Sequence, residues 1–207
     1  MSAAPKMPVY TTLPSLPPRG PLPPTIGVIL PVARTNMITN PSFETNTTGW
    51  AGYGSSGFSP ARTTTRVYHG AYSAFCSGGA VGDSVGFNGV VLTAGTTYVV
   101  SLKIFSFIGS TFELQLQSTA NAVLVRNRFI TQPYRWKWVY LYYTEAANAT
   151  RRIHLNSVLG DTFFLDGVQC EAITDGILSV TTYIDGDQRG LLVGQQPPPY
   201  GWNGTPH

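Results

Sequence analysis

"TFELQLQS", residues Thr111 to Ser118, is the clearest structural signal in this chain of 207 residues. Apolar and polar side chains alternate along it: Phe112, Leu114 and Leu116 fall on one side, and Glu113, Gln115 and Gln117 on the other. A period of two is typical of a β-strand, in which successive side chains point to opposite faces of a sheet. The pattern predicts a half-buried strand whose polar face is in contact with water.

Runs of the same kind recur along the middle of the chain. Five further stretches are rich in β-branched and aromatic residues and are separated by Gly, Asn, Ser and Thr. They are Thr96 to Phe107, Ala122 to Thr131, Trp136 to Thr144, Arg151 to Val158 and Thr162 to Ala172. No segment of the sequence has the sustained periodicity of a capped helix. Many short strands at a spacing of about ten residues predict an all-β fold, a jelly-roll β-sandwich.

The composition limits the classes of protein to consider. Only 11% of the residues are charged, against 43% hydrophobic and 12% aromatic, whereas soluble domains carry about a quarter charged residues. We expect a surface covered by neutral polar residues or by other proteins.

The net charge of +3 arises from thirteen scattered Lys and Arg residues, without the dense patch that nucleic-acid binding needs. No apolar run approaches the roughly 20 residues of a membrane span, and the first residues contain no basic segment followed by an apolar core, so we expect no export signal. We predict neither a nucleic-acid partner nor membrane insertion.

Two arms of different composition flank the strand-rich region. Residues 1–35 hold nine of the sixteen prolines, which predicts an extended arm, largely polyproline II. Two alternatives stay open for this arm: a disordered leader, or a segment that lies on the surface of a partner. Residues 173–207 are rich in turns and poor in periodicity, which predicts an irregular second arm. The predicted domain between the arms spans residues 36–172.

The sequence contains no familiar catalytic or zinc-binding motif. Of the three histidines, His69, His154 and His207, the first two are each predicted to be structural or exposed. Glu113 and Glu145 lie on different predicted strands, so the sequence does not define a glycosidase pair. Cys76 and Cys170 form either one disulfide or, as we prefer, two reduced thiols in the core. We predict that the protein is not an enzyme and requires no cofactor.

Four motifs follow one another along the predicted domain. They are "NMITNPSFETNTTGW" (Asn36 to Trp50), "RVYHGAYSAFCS" (Arg66 to Ser77), "LTAGTTYVVSLKIFS" (Leu92 to Ser106) and "FFLDGVQCE" (Phe163 to Glu171). Together they resemble a family of carbohydrate-binding modules with a galactose-binding-like jelly roll, in which the second and fourth motifs are strands. In many members a structural Ca²⁺ joins the first and last strands, and the resemblance implies Glu44 and Asp166 as its carboxylate ligands. The alternative is that both are hydrogen-bonded residues at strand ends.

The strand predicted at "WKWVYLYYT" carries the candidate binding residues. Alternation places four aromatic residues on one face: Trp136, Trp138, Tyr140 and Tyr142. In the resembled family the opposite face is buried, here Val139, Leu141 and Tyr143, which leaves Trp138, Tyr140 and Tyr142 facing solvent or a cleft. Rows of aromatic rings suit the apolar faces of sugars and equally suit a protein interface. A strand buried on both faces is the third alternative.

The predicted C-terminal arm carries a second resemblance. "TTYIDGDQRG" (Thr181 to Gly190) and "WNGTPH" (Trp202 to His207) resemble the two-part ending of bacteriophage virion proteins, mostly minor tail proteins. Within the first motif, "DGDQRG" lacks the spacing of an EF-hand loop and is predicted to be a turn. Trp202 supplies an apolar anchor and Pro206 a stiff exit, so we expect this ending to dock on its own domain or on a neighbouring subunit.

These resemblances imply a function other than catalysis. The main prediction is a structural component of a bacteriophage virion, assembled in the cytoplasm of the bacterial host. Within the virion we expect a minor tail protein, a homo-oligomer whose arms dock on neighbouring virion subunits. The alternatives are a module that binds glycans of the host cell surface during adsorption, and a capsid decoration protein.

Overall fold

A computed structural model describes residues 34–54, 59–78 and 80–174, together with residues 176, 178 and 180. Nearly all of the predicted N-terminal arm and most of the predicted C-terminal arm lie outside these residues, and so do Trp202, Pro206 and the "DGDQRG" motif. The described part of the chain contains no helix long and apolar enough to cross a membrane.

Ten β-strands form the described domain. They are β1 (Trp50–Tyr53), β2 (Pro60–Thr63), β3 (Ser73–Cys76), β4 (Ser84–Leu92), β5 (Thr97–Ser106), β6 (Thr111–Ser118), β7 (Val123–Ile130), β8 (Arg135–Thr144), β9 (Ala149–Ser157) and β10 (Phe163–Ala172). β5 to β10 are the six strands predicted from runs of β-branched and aromatic residues, and their ends lie within about two residues of the predicted ends.

The strands pair into two antiparallel sheets of five strands each. Sheet I has the order β1-β4-β9-β6-β7, and sheet II has the order β2-β3-β10-β5-β8. The chain crosses from one sheet to the other seven times: between β1 and β2, β3 and β4, β4 and β5, β5 and β6, β7 and β8, β8 and β9, and β9 and β10. The predicted jelly-roll β-sandwich is confirmed.

The core lies between the inner faces of the two sheets. Alternate residues of each strand are buried there, as the period of two requires. In β5 and β6 they are Tyr98, Val100, Leu102, Ile104, Phe112, Leu114 and Leu116. Cys76 and Cys170 also lie in this core, both as free thiols, which agrees with the preferred alternative. Burial raises the pKa of Cys170 to about 12, so this thiol stays protonated at neutral pH.

The first described residues tie the start of the domain to its last strand. Asn36 pairs with Glu171 in an isolated antiparallel bridge. The Asn36 side chain donates to the Val168 carbonyl (2.9 Å) and accepts from the Cys170 N–H (3.0 Å). The Met37 N–H donates to the Cys170 carbonyl (2.8 Å). Hydrogen bonds between residues far apart in the sequence therefore hold the two ends of the domain together.

The prediction of a water-exposed face on β6 is wrong. Glu113, Gln115 and Gln117 expose only 7%, 6% and 8% of their surface. β6 is an interior strand of sheet I, between β9 and β7, so side chains of both neighbours cover its polar residues. The alternation correctly identified the two faces, but it did not show how closely the outer face is packed.

β3 is shorter than the sequence predicts. The strand expected within Arg66 to Ser77 forms only at Ser73–Cys76. The residues before it turn at Gly70, whose φ of +68° lies in the left-handed region that favours glycine. A loop therefore precedes β3, and its Tyr68 ring contacts Trp136 on β8 with a centroid separation of 5.6 Å.

Candidate functional site

Polar side chains cover the outer face of sheet I in three rows that cross its strands. Residues that pair in register lie side by side, and the alternate residues of these strands face the core. The rows are Asn88, Arg152 and Gln117; Gly86, His154, Gln115 and Arg126; and Ser84, Asn156, Glu113 and Arg128. We call this surface the polar face. Its centre is closely packed and its edge on β7 is exposed.

An aromatic pair lies at one side of the polar face. The rings of Tyr53 and His154 have centroids 4.4 Å apart and an interplanar angle of 32°, and the Tyr53 hydroxyl donates to Asn88 Oδ1 (2.7 Å). A Cβ atom at Gly86 would lie 2.6 Å from His154 Cδ2 and 3.0 Å from Tyr53 Cε2. Glycine at this position on β4 therefore lets both rings lie against the sheet.

The side chains of β6 form a hydrogen-bonded chain along the polar face. Gln117 Nε2 donates to Gln115 Oε1 (2.6 Å), and Gln115 Nε2 donates to Glu113 Oε2 (2.8 Å). All three side chains are buried. The hydrogen bonds fix which end of each amide donates and which accepts, so the chain is an ordered row of polar groups.

Two buried polar atoms of β9 lack a hydrogen-bond partner within the part of the chain that the structure describes. They are Nε2 of His154 and Oδ1 of Asn156. Burial, with a smaller effect from the charge of Arg152, lowers the pKa of His154 to about 4, so its ring is neutral at pH 7. A buried polar atom without a partner costs about 1–3 kcal/mol. Both atoms therefore favour a polar partner, which reaches them only when a neighbouring side chain shifts, since each is enclosed by protein.

The aromatic residues predicted on β8 lie on the outer face of sheet II, away from the polar face. Trp138 and Tyr140 are 42% and 45% exposed, while Val139 and Leu141 on the opposite side are buried. Neighbouring rings meet edge to face: Trp138 and Tyr140 at 67°, Tyr140 and Tyr142 at 66°. We call Trp136, Trp138, Tyr140 and Tyr142 the aromatic stripe. Because its rings are tilted against one another, they form no continuous flat platform.

The faces of some of these rings already have partners. The Lys103 ammonium lies 4.3 Å from the Trp138 ring centroid and 4.6 Å from that of Tyr68. Trp136 packs against Phe105, with centroids 5.7 Å apart. Binding at the aromatic stripe stays a prediction, with Tyr140 as its most exposed ring.

Glu44 and Asp166 hold one loop, the residues that precede β3. The oxygens of both accept from its backbone N–H groups: Tyr68 and His69 donate to Asp166 Oδ2 (2.7 and 2.9 Å), and Ala71 and Tyr72 donate to Glu44 Oε1 (2.9 Å each). Burial raises the pKa of Asp166 to about 7, against the effect of its N–H donors, and the charge of Glu44 adds to the rise. The two predicted carboxylates therefore act on the same loop.

The groups around these carboxylates fit a loop anchor better than a calcium shell. Ca²⁺ takes six to eight oxygen ligands. Here the carbonyls of Phe43 and Glu44 accept from the Arg62 guanidinium, and Asp166 Oδ1 accepts from the Gly167 N–H (2.7 Å). The residues with described positions include no group of three or more His, Cys, Asp or Glu side chains suited to a metal. Calcium binding stays a prediction.

The two glutamates considered as a catalytic pair lie apart. Glu145 follows β8, where both of its oxygens accept from Arg151 (2.7 Å each) and its side chain is fully buried. The hydrogen bonds from Arg151 lower the pKa of Glu145. Arg151 is opposite Ser118 at the end of β6, and Glu113 lies near the other end. The ion pair has a structural role, and it leaves Glu145 no free oxygen for acid–base chemistry.

The sequence predictions missed the polar face as a site. The alternation of β6 contained part of the signal, since Gln115 and Gln117 alternate with buried leucines. His154 alternates in the same way within β9. The missing information is the register, which places residues of β4, β9, β6 and β7 in one row.

Comparison with known proteins identifies similar folds. A family model described as a carbohydrate binding domain matches residues 35–151. No curated protein sequence matches the chain. The CBM22-1 xylan-binding domain of Paenibacillus barcinonensis Xyn10C is 17% identical with a TM-score of 0.56, and the match covers 69% of this chain and 97% of that chain.

Two further solved structures show the same likeness of fold. The C-terminal family 22 carbohydrate binding module of Clostridium thermocellum Xyn10B is 16% identical with a TM-score of 0.52, over 66% of this chain and 92% of that chain. TmCBM61, solved in complex with β-1,4-galactotriose, is 19% identical with a TM-score of 0.51, over 65% of this chain and 97% of that chain.

Proposed function

This chain belongs to the carbohydrate binding domain family, and from that premise we propose that it binds a glycan on the polar face of sheet I without catalysing a reaction. One observation carries the proposal: two buried polar atoms, His154 Nε2 and Asn156 Oδ1, have no partner among the described residues and lie beside the aromatic pair. A hydroxyl group both donates and accepts hydrogen bonds, so sugar hydroxyls would satisfy both atoms once a shift of the neighbouring side chains admits them.

The rest of the polar face suits the same kind of ligand. A pyranose has an apolar ring face and a rim of hydroxyls, and the partly exposed Tyr53 ring matches the former. The amides of Gln115 and Gln117 match the latter. Because these amides are already ordered by hydrogen bonds, binding a sugar costs little additional side-chain entropy.

The aromatic stripe is the weaker candidate for a sugar. Its rings are tilted against one another by 66–67°, and the Trp138 ring is in contact with the Lys103 ammonium. Exposed Trp and Tyr rings also favour protein contacts. We therefore assign the glycan to the polar face and leave protein contact as the role proposed for the aromatic stripe.

A glycan array with the full chain, followed by affinity measurement for the best ligand, tests this assignment. Tyr53→Ala is expected to weaken binding about tenfold or more, because it removes the ring that the sugar stacks on. Tyr140→Ala is the matched control, since it removes an exposed tyrosine from the other sheet and should leave the affinity unchanged. The reverse result would move the site to the aromatic stripe. No binding across the array would remove glycan binding.

A second function, compatible with the first, is that of a structural component of a bacteriophage virion, of the minor tail type. It is supported by the resemblance of the motifs at 181–190 and 202–207 to phage protein endings. In such a particle the polar face holds a host-surface glycan while the two arms dock on neighbouring subunits. Quantitative mass spectrometry of purified particles tests this: a few to a few dozen copies indicate the tail, hundreds indicate capsid decoration, and absence from particles rejects both.

A further inference from the structure

We infer that the glycan bound by the polar face is anionic and carries carboxylate or sulfate groups; this inference rests on the proposed function. Three guanidinium groups and one carboxylate belong to the described side chains of this face: Arg126, Arg128, Arg152 and Glu113. The face therefore carries an excess of positive charge, although charged residues make up only 11% of the chain.

The single carboxylate is already engaged from three sides. Arg126 Nη1 lies 3.7 Å from Glu113 Oε2, and Arg128 Nε lies 3.9 Å from Oε1. Gln115 donates a hydrogen bond to Oε2 (2.8 Å). One negative charge cannot neutralise two guanidinium groups, and both distances are long for hydrogen bonds. The arginine side chains are 63% and 61% exposed, whereas that of Glu113 is 9% exposed. Their remaining N–H donors are accessible to an anion in solution.

The third cation lies at the Gln117 end of β6. Arg152 is on β9, two residues from His154 and opposite Gln117, and its guanidinium donates to Asn121 Oδ1 in the turn between β6 and β7. Arg126 is on β7, which is two strands, or about 10 Å, from β9. The uncharged amides of Gln115 and Gln117 lie between them. A glycan on this face therefore meets hydroxyl-binding amides next to guanidinium groups, an arrangement that suits a sugar chain with acidic substituents.

The aromatic content of the face favours a glycan over a nucleic acid. Single-stranded nucleic acids are held by successive bases stacked on several rings. Among the described residues of the polar face the aromatic groups are Tyr53 and His154, which lie against each other. One stacking position beside a row of amides fits a sugar better than a run of bases.

Neutral and acidic probes with the same backbone test this inference on the full chain. Affinities are measured by calorimetry for cellohexaose against β-1,4-linked hexaglucuronate, for xylan against glucuronoxylan, and for dextran against dextran sulfate. A single-stranded oligonucleotide is added as a competing anion. We expect an acidic probe to bind at least about tenfold more tightly than its neutral counterpart. The first two pairs report on carboxylate and the third on sulfate.

Variants and salt separate a built site from general attraction. Arg126→Gln and Arg128→Gln, each exposed and each made as a single variant, are expected to reduce the affinity for acidic probes about tenfold and to change the affinity for neutral probes little. Arg135→Gln, an exposed arginine on sheet II, is the control of equal charge and should have no effect. In the unmodified chain, raising the NaCl concentration from about 0.02 to about 0.5 M should weaken the binding of the acidic probes and leave that of the neutral probes unchanged.

Three results would overturn the inference. Equal or tighter binding of the neutral probes would leave the proposed function standing and reject the anionic glycan. An equal loss of affinity for the acidic probe in Arg135→Gln would show attraction by net charge rather than recognition of an acidic sugar. Tighter binding of the oligonucleotide than of the acidic glycans would show the same. Failure of every glycan, neutral and acidic, would reject the proposed function together with this inference.

Discussion

The phenol ring of Tyr53 and the imidazole of His154 lie with their centroids 4.4 Å apart, above Gly86. Each of the three residues comes from a different strand, β1, β9 and β4, which are neighbours in sheet I. The glycine on β4 provides the space in which the two side chains meet. This contact places the Tyr53 ring beside the Nε2 atom of His154, which has no hydrogen-bond partner among the described residues. The positions of both rings therefore depend on Gly86, a residue that itself contacts no ligand.

Gly86→Ala tests that dependence. The new Cβ would lie 2.6 Å from His154 Cδ2, so both rings must move. We expect glycan affinity to fall about tenfold and the free energy of unfolding to fall by about 1–3 kcal/mol. Gly109→Ala is the control, since its Cβ would approach no atom more closely than 3.3 Å. A folded Gly86→Ala protein with unchanged affinity would contradict the role given to the aromatic pair.

The fold was predictable because burial in a sandwich leaves a period of two in the sequence. β6 shows this most clearly: Phe112, Leu114 and Leu116 all enter the core. β4 was missed because Ser84–Leu92 contains two glycines and an irregularity between Asn88 and Val90 that breaks the alternation. A strand of that kind is recognised only when its partners are known.

The candidate site was less predictable because it depends on register between strands that are distant in the sequence. Gln115 and His154 are direct neighbours across β6 and β9, but nothing local to either residue indicates the other. The aromatic stripe was found because all of its residues lie on one strand. The sequence therefore favoured the surface encoded by one segment over the surface assembled from five.

The contribution of His154 to the free energy of unfolding should fall in mild acid. Burial lowers its pKa from 6.5 to about 4. Between these pH values the unfolded chain binds a proton that the folded chain does not, so the free energy of unfolding falls as the pH drops. The full effect is roughly 3 kcal/mol. Urea unfolding at intervals from pH 8 to pH 5 should show that His154→Gln lacks this loss. A variant whose stability follows the same pH profile as the unmodified protein would show that His154 does not contribute.

Asp166 should act in the opposite direction over much of the same range. Burial raises its pKa from 3.8 to about 7, so the folded chain binds a proton that the unfolded chain releases. The free energy of unfolding therefore rises as the pH falls from about 7 towards about 4, by roughly 2–4 kcal/mol. In the unmodified protein this gain offsets the loss at His154. The Asp166→Asn variant should lack this gain. Its free energy of unfolding should therefore decline more steeply than that of the unmodified protein between pH 7 and pH 5 in the same urea series. Parallel profiles for the two proteins would refute the assignment.

Removal of calcium separates the two roles considered for Glu44 and Asp166. As loop anchors they act through N–H groups, for example those of Ala71 and Tyr72 on Glu44 Oε1, and these bonds need no metal. We expect EDTA to leave the melting temperature of the full chain unchanged. Glu44→Ala, which removes two hydrogen bonds whose N–H groups are exposed or partly buried and can then bond water, should cost about 0.5–1.5 kcal/mol, and Glu44→Gln, which keeps one acceptor oxygen, should cost less. In a calcium site both variants would lose the ion. If EDTA lowers the melting temperature of the unmodified chain but not that of Glu44→Gln, calcium binding would be established and the role as a loop anchor rejected.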